Sequence, residues 1–586
     1  MSILIKKVRI AGFRGLKNIE VELEQTTVIT GMNNSGKTSF LKALQLALGN
    51  RLFLSQDDFY IQDNQISPKI IIDLLFVPVK ENKKASDFSE DWELLFTTNR
   101  IRNDDSGNSF VASRTTITFD SVKNSYKTQK SILQTWPDFE SADKKNWFDS
   151  DDGKEMSFGF EEIPFFYMDA QRDILEDIKL KSSYIGKMLA KIEYSEDAIK
   201  DIEAQIKALN ETAVNSSDIL TTIKNTLKEL DTAMDSHSEG IDITPFTKKL
   251  RDLSKGLSIY YSDQKDSFPM EYHGMGTRSW SSLLTLKSFI TLLNNNAAGE
   301  SPFFPILAIE EPEAHLHPNA QKKLYEQINN IPGQKIISTH SPYIAAASDL
   351  KQIRNFYKDD TVHCGKIKTE LLTSEEIRKI NRQVINTRGE IFFSKLLVFF
   401  EGETEEQALP IFAHHYFGKS PVEMGIDFVG VGGFKSYLPF LRFSEELSIP
   451  WLILSDAEPD AITWVEKHIK NSATPKSIDE VVIFLDNGND FEKQIISDGF
   501  HEEIKRAILS LKTYENEHHE RAQKHKDEAE VNLFDAQKLY EILTGDKTQF
   551  GPLIAEKIVN SGKNLPIKIV DLFKKIEKTL TSGDST

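Results

Sequence analysis

At the start of the chain apolar positions alternate with charged ones: Ile3, Ile5, Val8 and Ile10 lie among Lys6, Lys7 and Arg9. A period of two predicts strands with one solvated face. Val21, Leu23 and the run Thr27 to Thr30 extend the pattern to Gly31, after which Phe40-Leu41, Leu44 and Leu46-Ala47-Leu48 take helical spacing. A glycine-bearing segment therefore joins a strand to a helix. Strand-sized runs follow at Ile70 to Phe76, Thr115 to Phe119 and Pro164 to Met168, all read as one region of sheet and loops. Between Ile174 and Met234 the period lengthens. Ile199, Ile202, Ile206 and Leu209 step by three and four, as do Leu220, Ile223, Leu227, Leu230 and Met234, across a polar break from Glu211 to Asp218. Two antiparallel amphipathic helices are predicted, and at about two heptads each they serve equally as a self-association hairpin or as one packed on its own domain.

Strand signals return at Phe303 to Ile309 and Gln334 to Ile337. A polar, helix-rich bridge from Ser374 to Glu390 then leads to a new series: Leu396 to Phe400, Ile426 to Val429, Trp451 to Leu454 and Val481 to Leu485, with helical stretches such as Glu405 to Phe412 between. That alternation predicts a parallel sheet in a separate C-terminal α/β domain.

Composition narrows the class. The 586 residues are 39% hydrophobic and 27% charged, which is globular and too long for a single core. One cysteine, Cys364, permits neither an internal disulfide nor a cysteine-built zinc site. The first residues carry no signal-peptide core, so a cytoplasmic protein is expected. The apolar runs fall far short of the roughly 18–20 residues that span a bilayer, so no membrane segment is expected. With 71 Lys plus Arg against 89 Asp plus Glu, the net charge is −18. A blanket polycation is excluded, and any DNA binding must rest on local patches, with modest, salt-sensitive affinity.

The strand–helix junction reads Gly31-Met32-Asn33-Asn34-Ser35-Gly36-Lys37-Thr38, a full match to a phosphate loop. Its backbone N–H groups and the following helix N-terminus suit phosphate oxygens; Lys37 neutralises them and Thr38 offers a hydroxyl to Mg²⁺. ATP and Mg²⁺ are thus expected at Asn33, Asn34, Ser35, Gly36, Lys37 and Thr38. The buried run Ile306 to Ile309 delivers Glu310 and Glu311, one acid to hold the metal and the next to orient or deprotonate a water. His340, after Lys335 to Ile337, is placed to donate a hydrogen bond to a terminal phosphate.

The C-terminal runs also end in acids. Glu401 follows Leu396 to Phe400, Glu405 lies in the first turn of the next helix, and Asp456 and Glu458 follow Trp451 to Leu454. In a parallel sheet all four reach the carboxyl edge, where their repulsion calls for hard divalent cations, Mg²⁺ or Mn²⁺. Two such ions would activate water against a phosphodiester.

The order of phosphate loop, Glu310-Glu311 and His340 resembles the ABC-type ATPases, and Phe13-Arg14-Gly15-Leu16-Lys17-Asn18 and Glu310 to Pro318 are similar to the branch serving recombination and chromosome maintenance. That likeness adds Arg14 to the nucleotide site, Gly276 and Arg278 of Gly274-Met275-Gly276-Thr277-Arg278-Ser279 as a cap reaching a second subunit's nucleotide, and Gln56 or Arg172 at the glutamine-loop position. The acid set resembles the Toprim domain, with Glu401-Gly402 matching and Asp456-Ala457-Glu458 standing for the usual Asp-x-Asp. Joined in one chain, the two halves resemble the OLD family of nucleases, which includes Gabija-type antiphage enzymes. The resemblance implies Glu492 of Asp490-Phe491-Glu492 as a further metal ligand and Lys547 of Gly545-Asp546-Lys547 facing the scissile phosphate. The expected layout is an ABC-type ATPase in residues 1–173 and 256–373, a helical insertion at 174–255 used for dimerisation, a linker at 374–390 and a Toprim domain at 391–586. The implied partners are DNA, a second copy or higher homo-oligomer, and an accessory defence protein; the competing expectation is a DNA-repair type scaffold or motor whose Toprim domain does not cut.

Overall fold

The computed structural model describes residues 2–49, 54–63, 65–80, 83–120, 124–139, 147–149, 153–155, 159–179, 195–227, 260–263, 266–297, 302–382, 389–486, 488–513 and 517–584. They fall into two compact units, one of residues 1–167, 306–312 and 333–586, the other of residues 168–305 and 313–332.

The first unit carries three sheets' worth of pattern. The alternating start forms long antiparallel strands: Ser2–Phe13 pairs with Leu16–Glu22 on one side and Lys69–Lys80 on the other, and Ser109–Asp120, Ser125–Leu133 and Gly153–Glu155 continue the sheet. Asp73 and Arg114 face each other in this register, buried, and form a two-pronged ion pair at 2.8 Å. Shorter strands, most of them largely buried, make the second sheet. Its order runs from Phe165–Met168 through Ile306–Glu310, Gln334–Ser338, Thr26–Gly31 and Ile353–Lys358 to Val362–Lys366, and the inner pairs are parallel. Pro164 to Met168 therefore leaves the region of sheet and loops it was grouped with. Its strand lies beside Ile306–Glu310, because side chains alone do not say which sheet a short apolar run joins.

The expected C-terminal parallel sheet is present. Its order is Ile426–Gly430, Leu396–Phe400, Trp451–Ser455, Val482–Phe484, all parallel. The strand ending at Glu401 thus lies directly beside the strand ending at Asp456, and the connections leave that pair toward opposite sides. This is the switch point where α/β sheets open a crevice at their carboxyl ends. The second sheet and the C-terminal sheet share one core: Ile353 and Ile367 pack in the same cluster as Val398, Phe440 and Ile453.

In the second unit the helical stepping gives helices Glu196–Asn215 and Asp218–Leu227 joined by a short turn, which contact each other. Ser195 caps the first through the Ala198 N–H. Leu230, Met234 and most of the rest of 174–255 lie outside the described residues, as do residues 383–388 of the bridge. Among the described residues no helix is long and apolar enough to cross a membrane.

Candidate active sites

The phosphate loop has the backbone its sequence requires. Gly31 sits at φ +134°, where an added Cβ would lie 2.1 Å from the Phe356 carbonyl oxygen, and Gly36 at φ +95°. Asn34 also takes a left-handed conformation. Helix Lys37–Leu48 follows, burying Phe40, Leu41 and Leu44, so the N–H groups of its first turn open onto the loop. Lys37 donates to the carbonyls of Gly31 and Met32, 2.8 Å each. Thr38 donates its hydroxyl to Glu310, whose other oxygen accepts from the Tyr167 hydroxyl at 2.5 Å. The expected metal pair Thr38 and Glu310 is in direct contact. Tyr167 was not anticipated; the only sequence signal was a tyrosine in the Pro164 to Met168 run.

Glu311 takes a left-handed φ of 43°, fixed by its N–H donating to the Ser338 carbonyl at 2.9 Å. His340 reaches it at 3.7 Å, Nε2 to Oε1, and burial together with the Lys37 charge pushes the imidazole below its ordinary pKa. A neutral histidine beside a carboxylate suits the orientation of a water. Arg14 donates to the Asp58 carboxylate at 2.9 Å. Gln56 opens the single turn Gln56–Asp58, exposed, and no hydrogen bond among the described residues joins its side chain to the phosphate loop.

In the second unit, Gly276 packs so closely that a Cβ there would meet the His315 carbonyl oxygen at 2.4 Å. Arg278 pairs with Asp173 at 2.8 Å, so a phosphate must compete for it. Arg172 is buried, and desolvation brings its pKa down to about 10 against the opposing charges of Glu313 and Asp169.

At the carboxyl edge of the C-terminal sheet the acids crowd together. Glu401 accepts from the Ser455 hydroxyl at 2.9 Å and from the N–H groups of Asp456 and Phe434. Burial holds its pKa above the ordinary range in spite of them. Glu405 is 5% exposed, and burial followed by the Glu492 and Glu401 charges lifts it to about 7. Asp456 is lifted to about 8, by burial and then by Glu405, Glu401, Asp490 and Glu492. Glu492, 2% exposed, accepts from Thr404 at 2.5 Å and meets Lys547 at 3.2 Å. Burial works against the Lys547 charge, but Glu492 and its neighbours outweigh it and raise its pKa. Glu458 differs: it is exposed at the N-terminus of helix Pro459–Lys470, within electrostatic reach of Glu401.

Three further side chains belong to this site and were not singled out from sequence. Asp490 caps helix Phe491–Ser497 and accepts from Tyr540 at 2.6 Å, and its charge reaches Asp456. Tyr437 is fully buried under the acids. Asp490, two residues before Glu492, carried a legible signal; the tyrosines did not. The hard oxygen donors and the mutual repulsion that raises their pKa values fit a divalent cation. Among the described residues, however, no three such side chains close round a common point as metal ligands.

The model of the AAA ATPase domain matches residues 4–345, and the Overcoming lysogenization defect protein-like TOPRIM domain matches residues 392–457. These domains imply use of a nucleotide and a divalent metal. The chain is 22% identical to the Escherichia coli K12 protein YbjD over 84% of each chain. It is 23% identical to the Old nuclease of Escherichia phage P2, over 78% of each. It is also 23% identical to the OLD nuclease of Thermus scotoductus, over 78% of this chain and 82% of that one. Among solved structures, the C-terminal region of the Burkholderia pseudomallei OLD protein aligns at 18% identity and a TM-score of 0.25, over 32% of this chain and 99% of that one. With the AAA ATPase domain matched over more than half of the chain and an OLD-like TOPRIM domain matched where the acids gather, the chain belongs to the AAA ATPase domain family and carries the TOPRIM domain of OLD-like proteins.

Proposed function

We propose that this protein is an ATP-hydrolysing, metal-dependent DNA nuclease whose ATPase core governs a TOPRIM centre that hydrolyses phosphodiesters. The observation that carries the reading is the convergence of half-buried Glu401 and Asp456 with buried Glu405 and Glu492 at one sheet edge, with Lys547 opposed to them.

At the nucleotide site, the loop N–H groups and Lys37 would bind the β- and γ-phosphates of ATP, and Thr38 with Glu310 would hold Mg²⁺. Tyr167 steadies Glu310 from its far oxygen. Glu311 accepts a proton of the attacking water while neutral His340 donates to phosphate. Arg14 contributes from its Asp58-braced position, Gln56 or Arg172 serves the glutamine-loop role, and Gly276 with Arg278 caps the nucleotide of a second copy.

At the TOPRIM centre, Glu401, Glu405, Asp456, Glu458 and Glu492 would hold Mg²⁺ or Mn²⁺, and Asp490 adds its charge. The ions, when bound, supply an ionised water at neutral pH and charge compensation for the leaving oxygen. Ser455 and the N–H groups of Asp456 and Phe434 orient Glu401, and Lys547 offsets the charge developing on phosphate. The working unit is a homo-oligomer in the cytoplasm, its target is phage DNA, and an accessory defence protein acts with it.

The test is degradation of linear and supercoiled DNA in Mg²⁺ or Mn²⁺, with and without ATP. Glu401→Ala and Asp456→Ala should each lower cutting by about 100-fold or more while ATP hydrolysis persists. A scaffold with a non-cutting TOPRIM domain would instead show no metal-dependent cleavage in the wild type, or the same trace in both variants.

A further inference from the structure

The segment Gly430 to Lys435 has so far supplied one N–H to Glu401, yet it is built for more. Gly432 and Gly433 both take positive φ, 74° and 105°, and turn the chain into a short helix Phe434–Ser436. Phe434 stays half-buried and Lys435 exposed. Beside them, on helix Pro459–Lys470, the half-buried Trp464 carries the Lys467 ammonium 4.3 Å from its ring centre. The Lys435 ammonium lies 5.8 Å from the same indole and 5.6 Å from the Phe434 ring. Neither lysine forms an ion pair with a carboxylate among the described residues, whereas Lys547, Lys563 and Lys568 all do. Two uncommitted cations thus border two partly exposed rings on an acidic protein. Both ends of the patch run into the acid cluster: the Phe434 N–H binds Glu401, and the helix starts directly after Asp456-Ala457-Glu458.

We propose that Phe434, Lys435, Trp464 and Lys467 form a docking platform for an unpaired DNA strand that leads into the TOPRIM centre. An aromatic face stacks on any base but only when that base is free of its duplex, while the lysines take the neighbouring phosphates. The inference deepens the nuclease reading by naming the form of its substrate.

The experiment measures binding of fluorescent oligothymidylate and of a duplex of equal length to the full chain in EDTA. Trp464→Ala weakens single-strand binding about tenfold and duplex binding about twofold or less, and Trp464→Phe restores most of the loss. Lys435→Gln with Lys467→Gln lowers the slope of log affinity against log salt by about 1 to 2. Unchanged ATP hydrolysis and melting show that the variants fold. The platform is overturned if Trp464→Ala binds single strands like the wild type, if it loses both forms equally, or if the wild type prefers duplex. Because binding is read without metal, absent cleavage alongside a Trp464-dependent single-strand preference removes the nuclease reading and leaves the platform standing.

Discussion

Glycine at position 31 illustrates how a single atom decides the nucleotide site. Its φ of +134° and the Phe356 oxygen 2.1 Å from any added Cβ leave no room for a side chain. Gly31→Ala should cost roughly 1–3 kcal/mol in denaturant unfolding and abolish ATP hydrolysis. The control is Gly15→Ala, where φ is not strained and nothing lies within 4 Å, and which should leave stability unchanged. Equal behaviour of the two variants would remove the argument. Residue chemistry was legible here because the motif itself names the conformation. It was not legible for Asp456, since a proton affinity raised to about 8 comes from burial and four acids distant in sequence. Tyr167 and Tyr437 escaped for the same reason: what each hydroxyl meets, the Glu310 carboxylate for Tyr167 and the Leu454 carbonyl for Tyr437, lies far along the chain.

Among the elements, strands were found by periodicity, but their partners were not. Glu22 shows what pairing adds. It sits on the antiparallel strand Leu16–Glu22 and bonds Lys6 at 2.9 Å on the neighbouring strand and Lys366 on the edge strand of the parallel sheet. Burial alone would raise its carboxyl, but the hydrogen bonds and charges of Lys366 and Lys6 outweigh it and bring it from 4.5 to about 2. A lowered folded-state pKa contributes stability that is complete above about pH 4.5 and lost as pH falls toward 2. Glu22→Gln should therefore lower Tm at pH 7, with the gap to wild type closing across that window in thermal melts. A gap that stays constant with pH would show that these ion pairs contribute nothing to joining the two sheets. The strand Phe165–Met168 makes the complementary point: four residues signalled a strand, and only its neighbour Ile306–Glu310 assigned it to the ATPase sheet.

On the scale of the molecule, the ATPase and TOPRIM sheets of the first unit are joined by polar contacts as well as by a shared core. Thr30, one residue before the phosphate loop, donates to the Asn355 side chain at 3.1 Å, and Asn355 donates to the Leu447 carbonyl at 2.8 Å behind the TOPRIM helix Tyr437–Glu446. All of these contacts are buried, and they end at the C-terminus of the helix whose first residue, Tyr437, lies under the acids. Lys37→Ala should remove ATP hydrolysis and change the DNA-cutting rate in ATP by about fivefold or more, although it leaves the acids untouched. Asn355→Leu should keep ATP binding but flatten the response of cutting to ATP. If cleavage by both variants tracks the wild type at every ATP concentration, the two sheets are merely neighbours.

The order of the chain by itself determined the phosphate loop, the three acid-bearing strand ends and the parallel C-terminal sheet, because each is written in contiguous residues whose spacing dictates local backbone. Only tertiary structure decided that Leu396–Phe400 and Trp451–Ser455 lie side by side, that Glu458 stays exposed while Glu405 is buried, and that Phe434 and Trp464 share Lys435. Electrostatic fields and ring contacts depend on distance through space, and strand order brings together residues that the chain keeps apart.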